Sequence, residues 1–460
     1  MLIINMNLAL KRHILIVALT VLLTVPFYRT TARAESDLFP VYPCIQSNVA
    51  FWIKIFTEYS SNCGVIHDKR EMNRIYGVIE LADFDRHGGR KINRQRIKKA
   101  KERYKAILQK LMRGKDPAGP LERQVAELFG PDAKPGDFRS ALRNIRCQIG
   151  QKDRFQAGLI RSGAYMDKIK QIFRDKGLPE DLAYLPHVES SFKPKAYSKA
   201  GAAGIWQFTR STGKQFLKVG YTIDERRDPM LSSLAAAKLL RQNYRKLKNW
   251  PMAITAYNHG AAGMLRAKKS RGSYEAVFKS YRSRIFKFAS RNFYSEFLAA
   301  RKIARNYRQY FGDLKLDAPV KNREIVLAGF VSLPELARHL KLNLADLWEL
   351  NPALGHPVFH GKKYVPGGYR LRLPNGSNEN GETLISKLPE KLYRHHQKRS
   401  HIYTVRRGDT AGEIARNHDV RLNELIASNN LNTRATIYVN QKIKIPLPAK
   451  KAARIAKNQP

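Results

Sequence analysis

Glu189 lies in the stretch Leu185-Pro-His-Val-Glu189-Ser190-Ser191-Phe192, and two polar turns follow it in order, Gly204-Ile205-Trp206-Gln207-Phe208 and Ala256-Tyr257-Asn258-His259-Gly260. A carboxylate followed by turns that carry amide, phenol and indole groups is a constellation suited to cleaving a sugar. Breaking a glycosidic bond needs an acid to protonate the leaving oxygen, and most glycosidases add a second carboxylate as nucleophile or base. The other acids nearby are Glu180, Asp181, Asp224, Glu225 and Asp228. None belongs to a motif that reads as a site: Asp181 reads as a helix-face residue, and Asp228 precedes Pro229 as a helix cap. The constellation supplies one carboxylate.

One carboxylate suffices where the substrate brings its own nucleophile. A muramic acid residue offers its C6 hydroxyl, which can attack the anomeric carbon and close a 1,6-anhydro ring, while its 2-acetamido group stabilises the developing positive charge. Glu189 then acts first as acid and afterwards as base. Both roles need a pKa raised toward neutrality, and Val188, Phe192 and Trp206 are the expected desolvating neighbours. Gln207, donor and acceptor at once, suits sugar hydroxyl and acetamido groups, and Tyr257 is placed to hold Glu189 by a hydrogen bond. Trp206 reads equally as core packing or sugar contact, and Ser198 as turn residue or cleft residue. His259 reads as a loop or substrate contact, since no second His or Cys stands at ligand spacing. No metal and no cofactor is expected.

These residues need a scaffold, and 460 residues exceed what one core holds, which predicts several domains. Lys11 and Arg12, the apolar run Ile14 to Phe27 and Ala32-Arg33-Ala34 read as an export signal over residues 1–34. An N-terminal helical region follows over 35–175, in which Ile97, Ala100, Tyr104, Ile107 and Leu111 recur at helical spacing. Residues 176–310 remain helical with denser punctuation and hold the motifs. Residues 323–374 end in an alternating strand, Tyr369 to Pro374, and 375–401 read as a polar linker. Residues 402–447 have the order β, α, α, β, and 323–374 echo them: Leu336-Ala337 beside Ile414-Ala415, and Leu371-Arg-Leu373-Pro374 beside Ile443-Lys-Ile445-Pro446. A basic tail occupies 448–460.

The formal net charge is +46. A field of that size draws the chain to a polyanion. No recognition helix or metal-finger pattern accompanies it, so nucleic acid is not the expected partner. The expectation is an anionic envelope surface around an exported protein of the periplasm or cell envelope. Cys44, Cys63 and Cys147 permit one bridge, with Cys44–Cys63 the simplest pairing and free thiols an equal alternative.

Residues 180–300 resemble the catalytic domain of soluble-lytic-transglycosylase-like murein lytic transglycosylases. The Glu-Ser, Gly-Ile-Trp-Gln and Ala-Tyr-Asn-x-Gly motifs carry the likeness, and the whole chain resembles D-type members with C-terminal LysM repeats. The resemblance implies Glu189 as catalytic acid/base, with Ser198, Gln207, Tyr257 and Asn258 lining the cleft. It also implies a mainly α, lysozyme-like catalytic domain in an α+β multidomain chain. The family often has a small residue where His259 stands, and no lipidation cysteine is visible.

Residues 402–447 resemble a LysM module through Tyr403-Thr-Val405, Gly408-Asp409-Thr410 and Asn429-Asn430-Leu431. That resemblance implies binding of N-acetylglucosamine-containing chains between loops at Asp409 and Thr410 and at Leu431 and Ile437. Ala411 and Asn440 replace a common Leu and Gly. The expected activity is cleavage of the MurNAc-β-1,4-GlcNAc bond of peptidoglycan glycan strands with formation of 1,6-anhydro-MurNAc ends. A lysozyme-type hydrolase and a non-catalytic wall-binding scaffold are the alternatives.

Overall fold

The computed structural model describes residues 38–198, 200–375, 388–432 and 434–446. The expected export signal and basic tail lie outside the described residues. Within them no helix is long and apolar enough to cross a membrane.

The N-terminal part begins with α1 (Gln46–Thr57), whose Phe51, Trp52, Ile55 and Phe56 are buried. The strands β1 (Cys63–Asp68) and β2 (Ile75–Glu80) follow, then the long helix α2 (Gly89–Met112) and β3 (Ile145–Ile149). In α2 the predicted stripe is the buried one, with Ala100, Tyr104, Ile107 and Leu111 inside. The region is not helical throughout, contrary to the expectation from sequence. β1 pairs antiparallel with both β2 and β3, giving a three-stranded sheet in the order β2-β1-β3. Short β-branched runs such as Val65-Ile66 and Val78-Ile79 fit a half-buried pleated surface better than a helix face. Cys44, Cys63 and Cys147 are all free, so the simplest pairing does not form.

The central part is a bundle. It contains α3 (Lys152–Ser162), α4 (Met166–Asp175), the short α5 (Leu185–Glu189), α6 (Pro229–Leu247), α7 (Trp250–His259) and α8 (Phe288–Arg305). Their apolar faces share one core with α1, including Phe155, Phe173, Leu185, Leu240, Ile254 and Phe297. α6 starts as predicted: Asp228 accepts from the backbone N–H of Met230 and Leu231, both at 2.9 Å, with Pro229 at the first helical position.

Two units in which an antiparallel pair of outer strands brackets a set of short helices close the described chain. In the first, β4 (Asn322–Val326) is followed by β5 (Phe330–Val331), α9 (Leu333–His339), α10 (Leu344–Leu350) and β6 (Arg370–Pro374), with β4 and β6 antiparallel. In the second, β8 (His401–Thr404) pairs antiparallel with β9 (Lys442–Ile445) around α11 (Ala411–Asn417) and α12 (Leu422–Asn429). Each has its own core.

The segment expected as a linker over 375–401 is structured where it is described. β7 (Tyr393–Arg394) pairs with β5, Leu388 and Leu392 enter the first unit's core, and Gln397 exchanges hydrogen bonds with the Tyr364 backbone at 2.7 and 2.9 Å. Its polar composition hid two leucines that dock.

The first unit also docks on the bundle: Arg372 forms an ion pair with Asp228, and Gly355 N–H donates to Thr222 O at 2.9 Å. The second touches it through Arg210, which donates to Ala427 O at 3.0 Å and to Asn430 Oδ1 at 3.2 Å.

Candidate active site

Glu189 ends α5, and the chain turns sharply after it, with Ser191 and Phe192 in the left-handed region at φ 50° and 54°. Such a conformation is strained for side-chain-bearing residues and persists only where neighbours fix it. The fixing groups are present. Arg161 of α3 donates from Nε and Nη2 to Ser191 O at 3.1 and 2.7 Å, and Ser190 Oγ donates to Ile205 O at 2.8 Å. Phe192 is fully buried, and His187 is sandwiched between aromatic rings, 5.2 Å from Phe155 and 4.6 Å from Phe192. Burial, then the nearby Arg161 charge, pushes the His187 pKa down to about 3, so it packs as a neutral ring.

The Gly204–Phe208 loop lies against this turn. Gly204 has φ +78°, and a Cβ there would stand 1.8 Å from Arg226 O, so only glycine fits. Arg226, buried and paired with Asp224 at 2.7 Å, donates to Gly201 O and Phe208 O at 2.8 and 3.0 Å and pins both ends of the loop. Gln207 has φ 47° and donates from Nε2 to Gly204 O at 2.9 Å. Ser198 Oγ accepts from Ala202 N–H at 3.0 Å, closing its own turn.

Trp206 is completely buried and donates from Nε1 to Ser233 Oγ at 2.7 Å. It cannot touch a sugar; the core-packing alternative is the one realised.

The third motif packs against the second. Tyr257 and Glu189 are near enough for the carboxylate to raise the phenol pKa, behind the larger effect of burial. The expected hydrogen bond between them is not made by the phenol proton, which Tyr257 donates to Trp206 O at 2.8 Å. That bond ties the second motif to the third. Asn258 is exposed, and its Oδ1 accepts from Ser290 Oγ at 2.9 Å. His259 meets the Phe286 ring edge-on at 5.0 Å. Among the described residues no group of His, Cys, Asp and Glu side chains is arranged to hold a metal ion.

Sequence reasoning missed Glu296. It stands on α8, which packs against α5, and its charge acts on Glu189. Glu189 is partly buried. Desolvation, followed by repulsion from Glu296, pushes its pKa from 4.5 up to about 8. Desolvation also pushes Glu296 up to about 8, against the opposing pull of Arg146 on β3. The signal was in the sequence: Glu296 is the only acid of α8, and Phe293, Ala299 and Ala300, three and four residues away on the same face, are all buried. The acids first weighed as partners are engaged elsewhere. Glu180 pairs with Arg174, Asp181 with Arg301, and Asp224 with Arg226, while Glu225 accepts from Lys218 N–H at 2.6 Å and Asp228 caps α6.

In the last unit, Asp409 Oδ2 accepts from Tyr403 OH at 2.9 Å and from Arg406 N–H at 2.7 Å, and Thr410 caps α11 in a capping box with Glu413. Leu431 is buried in that unit's core, so its side chain is not available as a sugar contact; Ile437 is half-buried. Beside Ile437, Tyr438 is 70% exposed.

This geometry coincides with recognisable domains. Residues 168–277 match the family model of the Transglycosylase SLT domain, and residues 403–446 match that of the LysM domain. The chain carries both.

Among curated proteins, membrane-bound lytic murein transglycosylase D of Escherichia coli (strain K12) is 28% identical over 283 residues, which are 59% of this chain and 61% of that protein. Membrane-bound lytic murein transglycosylase F of Alcanivorax borkumensis is 33% identical over 105 residues, 21% of each chain. The chain thus spans 61% or less of the length of these relatives. Of solved structures, the 70 kDa soluble lytic transglycosylase of Escherichia coli matches at 18% identity with a TM-score of 0.29, over 46% of this chain and 44% of that one.

Proposed function

We propose that this chain is a peptidoglycan lytic transglycosylase. It cleaves the MurNAc-β-1,4-GlcNAc bond and leaves 1,6-anhydro-MurNAc ends, with Glu189 as the proton-transferring group. The observation that carries this is the state of Glu189: a carboxyl raised to about 8, and so protonated at neutral pH, near Tyr257 within an SLT domain. Glu189 gives its proton to the leaving O4 as the C1–O4 bond breaks. The resulting carboxylate takes the proton of the C6 hydroxyl as O6 bonds to C1. The proton moves in net from O6 to O4, and no water is consumed.

Glu296 bears on the choice between this reaction and hydrolysis. A lysozyme-type route calls for a second, ionised carboxylate as base or nucleophile. Glu296 is itself raised to about 8 and is neutral over the same range, which favours the substrate hydroxyl as nucleophile.

The LysM unit would hold the glycan and raise the local substrate concentration at Glu189, with Asp409, Thr410 and Ile437 as the remaining candidates for its groove and Tyr438 joining them. The positive charge would add retention at an anionic envelope surface, in the exported location that the signal-like residues 1–34 predict.

Digestion of isolated sacculi followed by mass spectrometry of the products tests the reading. Anhydro-ended muropeptides with the native chain and none with Glu189→Gln are expected. Reducing ends as the main product would assign a hydrolase, and undiminished cleavage by Glu189→Gln would remove Glu189 from the chemistry.

A further inference from the structure

The geometry points to a second, anion-selective subsite beside the cleft: a basic pocket between the N-terminal sheet and the start of α8 that binds a free carboxylate of the peptide stems on the glycan strand. The inference rests on the peptidoglycan reading above and names a part of the substrate that the sugar-cleaving residues do not engage.

The pocket has a volume of about 370 Å³, and six basic residues line it: Lys69, Arg70, Arg146, Arg282, Lys287 and Arg291. The other lining residues are Phe286 and Phe288. Among the described residues no carboxylate forms an ion pair with any of the six. Asp68, beside Lys69 and Arg70 in the chain, turns its Oδ1 onto the backbone N–H groups of Arg70 and Glu71 at 2.7 and 3.2 Å. Besides the Cys147 thiol, the acid whose charge reaches Arg146 is Glu296, which burial keeps neutral near pH 7.

The cations are held in place. Arg146 lies over the Phe288 ring at 4.0 Å and Arg291 over the Phe286 ring at 5.1 Å, and stacking of this kind leaves the guanidinium edges for a ligand. Arg291 Nη2 donates to Tyr281 O at 2.7 Å, and Arg282 donates to Lys279 O and Tyr281 O, both at 2.9 Å. The Nε of Arg146 is buried with no hydrogen-bond partner. A buried donor left unmatched costs about 1–3 kcal/mol, so a ligand that supplies an acceptor is favoured there. Burial is the main cause that lowers Arg291 to about 10, and the neighbouring Arg282 and Arg70 charges add a repulsion that an anion would relieve.

Position decides which anion. Phe286, a wall of the pocket, touches His259, and Ser290, next to Arg291, donates to Asn258 Oδ1 at 2.9 Å. The pocket therefore borders the third-motif turn. In a peptidoglycan strand the sugar hydroxyls and acetamido groups are neutral, and the stem carboxylates are the anions that reach beyond the sugar backbone. Arg–carboxylate pairing is short, directional and often bidentate.

The test uses the full chain and the double variant Arg70→Gln/Arg282→Gln. Both residues are exposed, so the substitutions leave the core intact; Lys287→Gln, also exposed, is an independent second variant. A soluble acidic stem peptide is titrated into each protein. Turnover is also compared on stem-bearing strands and on strands stripped of stems by an amidase. Peptide affinity is expected to fall about tenfold in the variants, together with the ratio of kcat/KM on stem-bearing to stripped strands.

Equal peptide binding by native and variant chains, or an unchanged ratio, overturns the subsite. Loss of binding to phosphatidylglycerol vesicles with peptide binding intact reassigns the pocket to a membrane surface and equally overturns it. If the native chain cuts neither strand yet binds the peptide in a variant-sensitive way, the lytic reading fails while the anion site stands.

Discussion

Glu296 on α8 acts on Glu189 at the end of α5, and each carboxyl is held near 8, far above the ordinary 4.5 of a glutamate. Burial is the larger cause at both residues. Two interacting carboxyls lose their protons as a pair, so the alkaline limb of activity reports the dyad and not one residue.

Replacing Glu296 with Gln removes the like charge and keeps the shape. The ionised form of Glu189 is then less disfavoured, and its pKa falls. The alkaline limb of kcat/KM on sacculi, expected near pH 8 in the native chain, should move to lower pH by about a unit or less. A limb that stays in place would leave burial as the sole cause.

The same shift has a stability consequence. A carboxyl raised from 4.5 unfolded to about 8 folded binds its proton more tightly in the native state across that interval. The native chain therefore holds its full contribution below pH 4.5 and loses it as pH rises through 8. Glu189→Gln, neutral throughout, should match the native melting temperature near pH 4 and exceed it at pH 8, by an amount worth a few kcal/mol. Melting curves at the two pH values check this; a constant difference would contradict it.

What could be read in the sequence was what is local in the chain. The three motifs are short and ordered, so Glu189 and its turns were recognisable, as were the stripe of α2 and the cap at Asp228. Glu296 was not, because it meets Glu189 only when α8 packs on α5, and in the chain it looks like one acid in an amphipathic helix. The sheet escaped for a similar reason: β3 reaches β1 only after α2 and two further helices, so no local alternation marks the pair. Trp206 reads either way in the sequence, and Leu431 reads as a groove residue, because an apolar side chain beside a motif reads the same whether it points at ligand or core.

Trp206 makes that last ambiguity measurable. Its indole N–H bond to Ser233 is the polar contact it makes, inside the core. Trp206→Phe should remove that bond and leave a small void, lowering stability by about 1–3 kcal/mol while KM for sacculi holds. A raised KM with unchanged melting would return Trp206 to the sugar.

Arg161 is expected to act through position. Its forked contact with Ser191 O holds the left-handed turn that follows Glu189, and Arg161→Lys keeps the charge but cannot reproduce the fork. A displaced general acid costs rate more than binding, so kcat should fall about tenfold with little change in KM. Proportional changes in both would indicate a direct substrate contact.

The LysM unit folds around its own core and meets the SLT domain through Arg210, so its removal tests tethering separately from chemistry. A chain ending at residue 400 loses β8 to β9 and keeps every group around Glu189, including the Arg226–Asp224 pair behind the second motif. If the unit only raises local substrate concentration, retention on insoluble sacculi should fall about a hundredfold while turnover of short soluble glycan fragments stays within about twofold. The two substrates separate the roles, because a soluble fragment fills the cleft without spanning to the LysM groove. A matching loss on soluble fragments would mean that the Arg210 contact shapes the cleft itself. In that case Arg210→Gln in the full chain should reproduce the loss without affecting retention on sacculi.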